Sequence, residues 1–225
     1  MPRAATTRRP AATRRTKASR PPRPRWRRRK DARPEEIVAA ALEVFVERGF
    51  AATKLEDVAR RAGVTKGTIY LYFANKEALF KAVVRETIVP VIAEGEVLAR
   101  SFTGTARELF ERLVRDYWRL VGETALAGIP KLMMAEAGNF PALARFYYEE
   151  VARRGQRLVS SVLERGIKAG EFRRVDLPVA SKLAMAPLMH AVVARRAFSA
   201  CVPEPFDINQ YLTTHIDLFL HGIAK

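Results

Sequence analysis

From Ile37 onward, apolar residues recur at helical spacing along almost the whole chain. Ile37, Ala40, Ala41, Val44 and Phe45 fall on one face between Pro34 and Arg48, and Gly49 closes that helix before Phe50. Leu55, Val58, Ala59 and Ala62 form a second, shorter face. Thr53 and Glu56 have the spacing of a capping box in front of it, the hydroxyl reaching forward and the carboxylate reaching back. Gly63 stands where this helix must stop in a left-handed conformation, and Thr65 is placed to cap the next helix about three residues later. Val64 and Ile69 pin that helix inward, which leaves Lys66, Thr68, Tyr70 and Tyr72 facing out. Asn75 then caps a helix carrying Leu79, Phe80, Val83 and Val84.

Two short helices joined by a tight turn form a helix-turn-helix over residues 54–73. Alanine-rich hairpins with a Gly turn also occur in all-α proteins that never meet DNA, so the flanking helices decide. The order Phe45, Gly49-Phe50, Thr53, Ile69-Tyr70, Phe73, Lys76 and Leu79 resembles the tetracycline-repressor (TetR) family of transcriptional regulators. In detail the resemblance covers residues 31–91; beyond them it is one of length and helical organisation.

The rest of the chain reads as longer helices. After the Asn75 helix, Gly95 and residues 101–104 mark a break. Leu109, Phe110, Leu113, Val114, Tyr117, Leu120 and Val121 make a wide stripe, and a short segment spans 130–137. A long helix follows from Pro141 to Lys168, ended by Gly170. Another runs from Leu177-Pro178 to about Ser199, and a last one from Asp207 to His221. No strand-like alternation and no internal repeat is found, so the fold class is all-α: an N-terminal three-helix helix-turn-helix domain (31–91), followed by a larger helical effector-binding and dimerisation domain (92–225).

Charge changes the picture only at the start. Residues 1–33 hold twelve Arg and two Lys against Asp31 alone, which supplies thirteen of the sixteen net positive charges. Residues 1–30 therefore read as a disordered basic arm. Four roles compete for it: an inert extension, a transit peptide whose Pro clusters spoil the amphipathic helix, a membrane anchor lacking an apolar face, and a DNA-binding arm. The last is preferred for residues 23–30, with Arg25, Arg27 and Arg28 following phosphates or entering a minor groove; the first is preferred for residues 1–20. The single Cys201 excludes an internal disulfide and fits a reducing cytoplasm. The most apolar stretch, Leu183 to Ala194, is interrupted by Pro187 and His190 and is too short to span a bilayer. Three His and one Cys give no zinc spacing, and no Gly-rich phosphate loop is present, so neither a metal, a cofactor nor catalysis is expected.

The resemblance implies roles for particular residues. Thr53, Thr65 and Lys76 would hold phosphates. Lys66, Thr68, Tyr70 and Tyr72, with Gly67 and Leu71 between them, would meet base edges; the family often has His where Tyr72 stands, which leaves that contact open. The last two helices would pair with a second copy through Leu183, Leu188, Val192, Tyr211, Leu212 and Phe219. The preceding helices would enclose a small hydrophobic effector among Trp118, Met133, Met134, Phe146, Tyr147, Met185 and His190, although residues of these types at helical spacing also simply fill cores, and for His190 a hydrogen-bonded core histidine is the preferred reading over a ligand-orienting group. The function expected is a cytoplasmic, ligand-responsive repressor, a homodimer on a palindromic double-stranded operator. The competing reading is a sequence-tolerant architectural nucleic-acid-binding protein driven by the basic arm.

Overall fold

The apolar stripes become ten α-helices in the computed structural model, which describes residues 34–198, 201 and 207–225. Helix α1 (Pro34–Ala52) is kinked at Gly49, where φ is 81°. Helices α2 (Leu55–Ala62) and α3 (Lys66–Tyr72) are short, and α4 (Lys76–Ser101) is long. Then come α5 (Ala106–Tyr117), α6 (Gly128–Glu136), α7 (Pro141–Tyr147), α8 (Arg153–Ala169), α9 (Leu177–Phe198) and α10 (Ile208–Ile223). A π-helical turn continues α5 over Trp118–Gly122, and another, Tyr148–Ala152, joins α7 to α8. Such turns insert a residue into the helical ladder and re-aim the side chains around them. Among the described residues, strand-like pairing is confined to one antiparallel bridge between Phe172 and Ala224, which ties the end of α10 to the loop before α9.

Two apolar cores result. The first packs Ile37, Ala41, Phe45, Val58, Ile69, Leu79 and Phe80 between α1 and α4. It continues without interruption into Val121, Ile129, Leu132 and Leu143. Edge-on aromatic contacts hold this junction: Phe80 lies 5.2 Å from Phe45 and 5.6 Å from Phe50, and Phe140 lies 4.7 Å from Phe50. The second core gathers Leu109, Phe110, Trp118, Leu163, Leu188, Val192, Leu212 and Leu220 from α5, α8, α9 and α10.

Three local expectations change. Gly95 does not end α4; it lies inside the helix where α8 crosses, and a Cβ there would come within 2.8 Å of Leu158. Helix α4 therefore runs through the boundary at residue 91 as one rod. The capping box at Thr53 does not form. Lys54 occupies the cap of α2 without a side-chain bond, and the buried Thr53 hydroxyl instead donates back to the Gly49 carbonyl at 2.6 Å. Helix α9, finally, is longer than its most apolar stretch and meets the length and composition of a membrane span, but its inner face, Ala184, Leu188, Ala191 and Val192, is buried in the second core.

Candidate nucleic-acid interface and effector cavity

Local chain chemistry fixes the geometry of α2 and α3. Gly63 adopts the left-handed conformation (φ 73°, ψ 20°), so the Val64 amide turns back to the Ala59 carbonyl at 2.9 Å and terminates α2. Thr65 caps α3 by accepting from the Thr68 amide at 3.2 Å. Val64 and Ile69 are buried, which orients the helix. Outward it presents Lys66, Gly67, Tyr70, Leu71 and Tyr72; Tyr70 and Tyr72 are about half exposed and Leu71 is 79% exposed. The Lys66 ammonium lies 2.5 Å from the Glu56 carboxylate and 5.6 Å from the centre of the Tyr70 ring. Its hydrogen bond to Glu56 raises the lysine's pKa and lowers that of the carboxylate.

Three residues expected at this surface are placed otherwise. Thr68 is buried, its hydroxyl 2.9 Å from that of Thr65, so it completes the cap rather than facing a base. Thr53 is 2% exposed and closes the kink of α1 instead of reaching a phosphate. The Lys76 ammonium turns inward, donating to the carbonyls of Phe50 and Ala51 at 2.7 and 3.0 Å above the Phe50 ring. Burial lowers its pKa. It binds the orphan carbonyls at the end of α1, a role that replaces the phosphate contact expected of it. Arg25, Arg27 and Arg28 lie outside the described residues.

Behind this unit, α4 to α9 enclose a cavity of about 600 Å³, within the range of about 300–1,000 Å³ usual for small-molecule sites. Of the side chains expected there, Met133, Met134, Tyr147 and Met185 do line it. The other three do not. Trp118 is 3% exposed in the second core, with the Arg195 guanidinium 5.7 Å from its ring. Phe146 points the other way, beneath Lys81 and Arg85. His190 is exposed in a separate groove of about 470 Å³, and the hydrogen-bonded core histidine is His215, whose Nε2 donates to the Ala184 carbonyl at 3.0 Å. Tyr117, Gln156 and Met189, outside the expected set, line the cavity from three different helices. At its rim Asp116 is bracketed by Arg112 at 2.7 Å and Arg119 at 3.1 Å. Burial would raise the Asp116 pKa, but the two guanidinium partners outweigh it and hold the carboxyl below its usual value.

A polar strut joins the two regions. Glu136 at the end of α6 accepts from the Ala51 amide at 3.0 Å, beside the carbonyls that Lys76 holds. Met133 and Met134, less than one turn earlier on α6, face the cavity. No pattern in the sequence marks Glu136, because its partner is eighty-five residues away.

The faces expected to pair two copies divide. Leu183 is 61% exposed, and Val179 and Leu218 are exposed alongside it on α9 and α10. Leu188, Val192 and Leu212 are buried inside the protomer, which corrects their assignment to an interface. Tyr211 and Phe219 are half-buried, Tyr211 donating to the Pro187 carbonyl at 2.9 Å and Phe219 stacking on Phe110 at 5.0 Å.

Comparison with known proteins gives concordant matches. The family described as bacterial regulatory proteins, tetR family, matches residues 37–83, and the AefR-like transcriptional repressor C-terminal domain matches residues 108–222. The fatty acid metabolism regulator protein of Bacillus subtilis (strain 168) is 28% identical over 158 residues, 68% of this chain and 79% of that protein. The HTH-type transcriptional regulator RutR of Escherichia coli (strain K12) is 36% identical over 120 residues, 50% of this chain and 57% of RutR. The crystal structure of the transcriptional regulator FadR from Bacillus subtilis, in complex with stearoyl-CoA, shares the fold with a TM-score of 0.74 at 23% identity, covering 85% of this chain and 100% of that one.

Proposed function

Because the chain belongs to the TetR family of DNA-binding transcriptional regulators, we propose that it is a cytoplasmic homodimeric repressor whose operator affinity is set by a ligand in the cavity of α4 to α9. The observation that carries this reading is the continuity between the two regions: one apolar core and the Glu136–Ala51 strut run from the cavity wall to the end of α1, on which α2 packs, with α3 in turn packed on α2. A ligand that favours one position of α6 then favours one placement of α3.

In this reading Lys66, Tyr70 and Tyr72 meet base edges, Gly67 lets the backbone approach, and Thr65 meets phosphate. The arm around Arg25, Arg27 and Arg28 adds sequence-independent affinity. One α3 reads only a few base pairs, and a second copy held through Val179, Leu183 and Leu218 doubles the site into an inverted repeat. The likeness to a FadR complexed with stearoyl-CoA favours an effector with a large apolar body. Residues 31–91 would be the reading unit and 92–225 the sensing and pairing unit, with α4 shared between them.

The test is footprinting of the DNA beside the protein's own gene. Protection of an inverted repeat, persisting at salt concentrations that abolish binding to random duplex, is the expected result. Equal loss of both with salt would favour the arm-driven architectural reading.

A further inference from the structure

Three tyrosines, Tyr117, Tyr147 and the half-exposed Tyr148, line the largely apolar cavity together with Gln156 and four charged residues. Tyr117 and Tyr147 both line it, and each is the last α-helical residue before a π-helical turn, Trp118–Gly122 in one case and Tyr148–Ala152 in the other. The Tyr117 hydroxyl donates only to the Met189 thioether, at 3.3 Å, a weak acceptor, and the Tyr147 hydroxyl has no hydrogen-bond partner among the described residues. Deep burial raises the pKa of both, and the neighbouring Tyr117 raises that of Tyr147 further, so both stay protonated donors. Hydroxyls that line a cavity with at most a weak protein acceptor keep a donor hydrogen that a suitable ligand atom can take.

The cavity also limits the charge of that atom. Its charged residues are Glu94, Arg112, Asp116 and Arg119; Asp116 already engages both arginines, and Glu94 is exposed. Among the described residues no cation acts on either phenol to neutralise a carboxylate, whereas the two phenols are close enough to influence each other and an uncharged carbonyl oxygen can accept from both. Resting on the reading of this cavity as the effector site, we infer that the effector's buried part is an apolar body bearing one uncharged acceptor oxygen, of the ester, thioester or ketone type, held by Tyr117 and Tyr147, and that the corresponding free carboxylate is excluded.

The full-length protein tests this by displacement of pyrene, which fluoresces in an apolar cavity and makes no hydrogen bond. Methyl decanoate, 1-decene and decanoate are the competitors, at pH 8. Methyl decanoate should displace pyrene at a concentration about tenfold below that needed for either of the others. Tyr117→Phe with Tyr147→Phe should remove that advantage over 1-decene while leaving pyrene binding intact, which shows the cavity still formed. Decanoate competing as well as its ester, or an ester advantage that survives the double substitution, would overturn the inference. Absence of any pyrene or ester binding would overturn the effector-site reading along with it. Ester binding as described, with operator affinity unchanged, would sink the effector reading and leave the two-tyrosine site standing.

Discussion

The surface offered to DNA and the cavity behind it are built in opposite ways. The first is one stretch of eight residues, 65–72, whose shape follows from neighbours in sequence: a left-handed Gly63, a Thr65 cap and two buried anchors, Val64 and Ile69. The second draws its wall from six helices between Ile88 and Met189 and exists only once both cores are packed. The outward side chains of α3 can therefore be exchanged singly with little effect on the fold. Side chains of α5 to α9 serve the cavity and the stability of the protomer together.

The sharpest way to separate these roles is on α9, where two leucines five residues apart should behave oppositely. Leu188→Ala removes a fully buried side chain from the second core and should cost about 2–5 kcal/mol of stability, read as a lowered urea midpoint. Leu183→Arg, on the exposed face, should leave the protomer's unfolding nearly unchanged and shift light scattering from dimer to monomer. Similar destabilisation by both would mean that α9 has no free face and would remove the proposed seam.

On α3 the expected changes lie in discrimination. Lys66→Ala or Tyr70→Phe should cost about 1–3 kcal/mol at particular base pairs of the operator, measured by competition between single-site variants, with unchanged thermal unfolding. Uniform weakening on every sequence would assign these residues to phosphates.

A smaller effect is expected at the strut. Glu136→Gln keeps the shape of the acceptor but loses its charge, and should reduce the ligand-induced change in operator affinity by part of the 1–3 kcal/mol or so usual for coupled sites. Full retention of the response would place the connection in the apolar core alone.

The smallest effect concerns His215. Burial lowers its pKa from the usual 6.5, opposed by the hydrogen bond to the Ala184 carbonyl. The fold holds the neutral ring, so its contribution is complete above about pH 6.5 and is lost as pH falls below that toward the lowered folded value. Melting temperature should accordingly decline on acidification through this range, and His215→Phe should flatten the decline.

Legibility in the sequence follows the same division. Helix stripes, the Gly63 stop and the Thr65 and Asn75 caps are set by residues within a few positions of each other, and the structure repeats them. The Thr53 hydroxyl has two local choices, and the carbonyl of Gly49 behind it wins over the amide ahead. Periodicity marks the apolar faces of α9 but does not distinguish the one that meets its own core, which carries Leu188, from the exposed one, which carries Leu183. The π-helical turns beside Tyr117 and Tyr147 have no signature in hydrophobic pattern, and the Glu136 contact spans too much chain for any spacing rule to reveal it.

Reciprocal linkage tests the central claim most directly. The affinity of the protein for methyl decanoate is measured without DNA and with saturating operator, and compared with the operator affinity at zero and saturating ester. If the cavity and α3 share one equilibrium, the operator weakens ester binding by the same factor by which the ester weakens operator binding, a factor of about 5–150. Ester affinity unaltered by bound operator would show two independent sites on one chain and contradict the account.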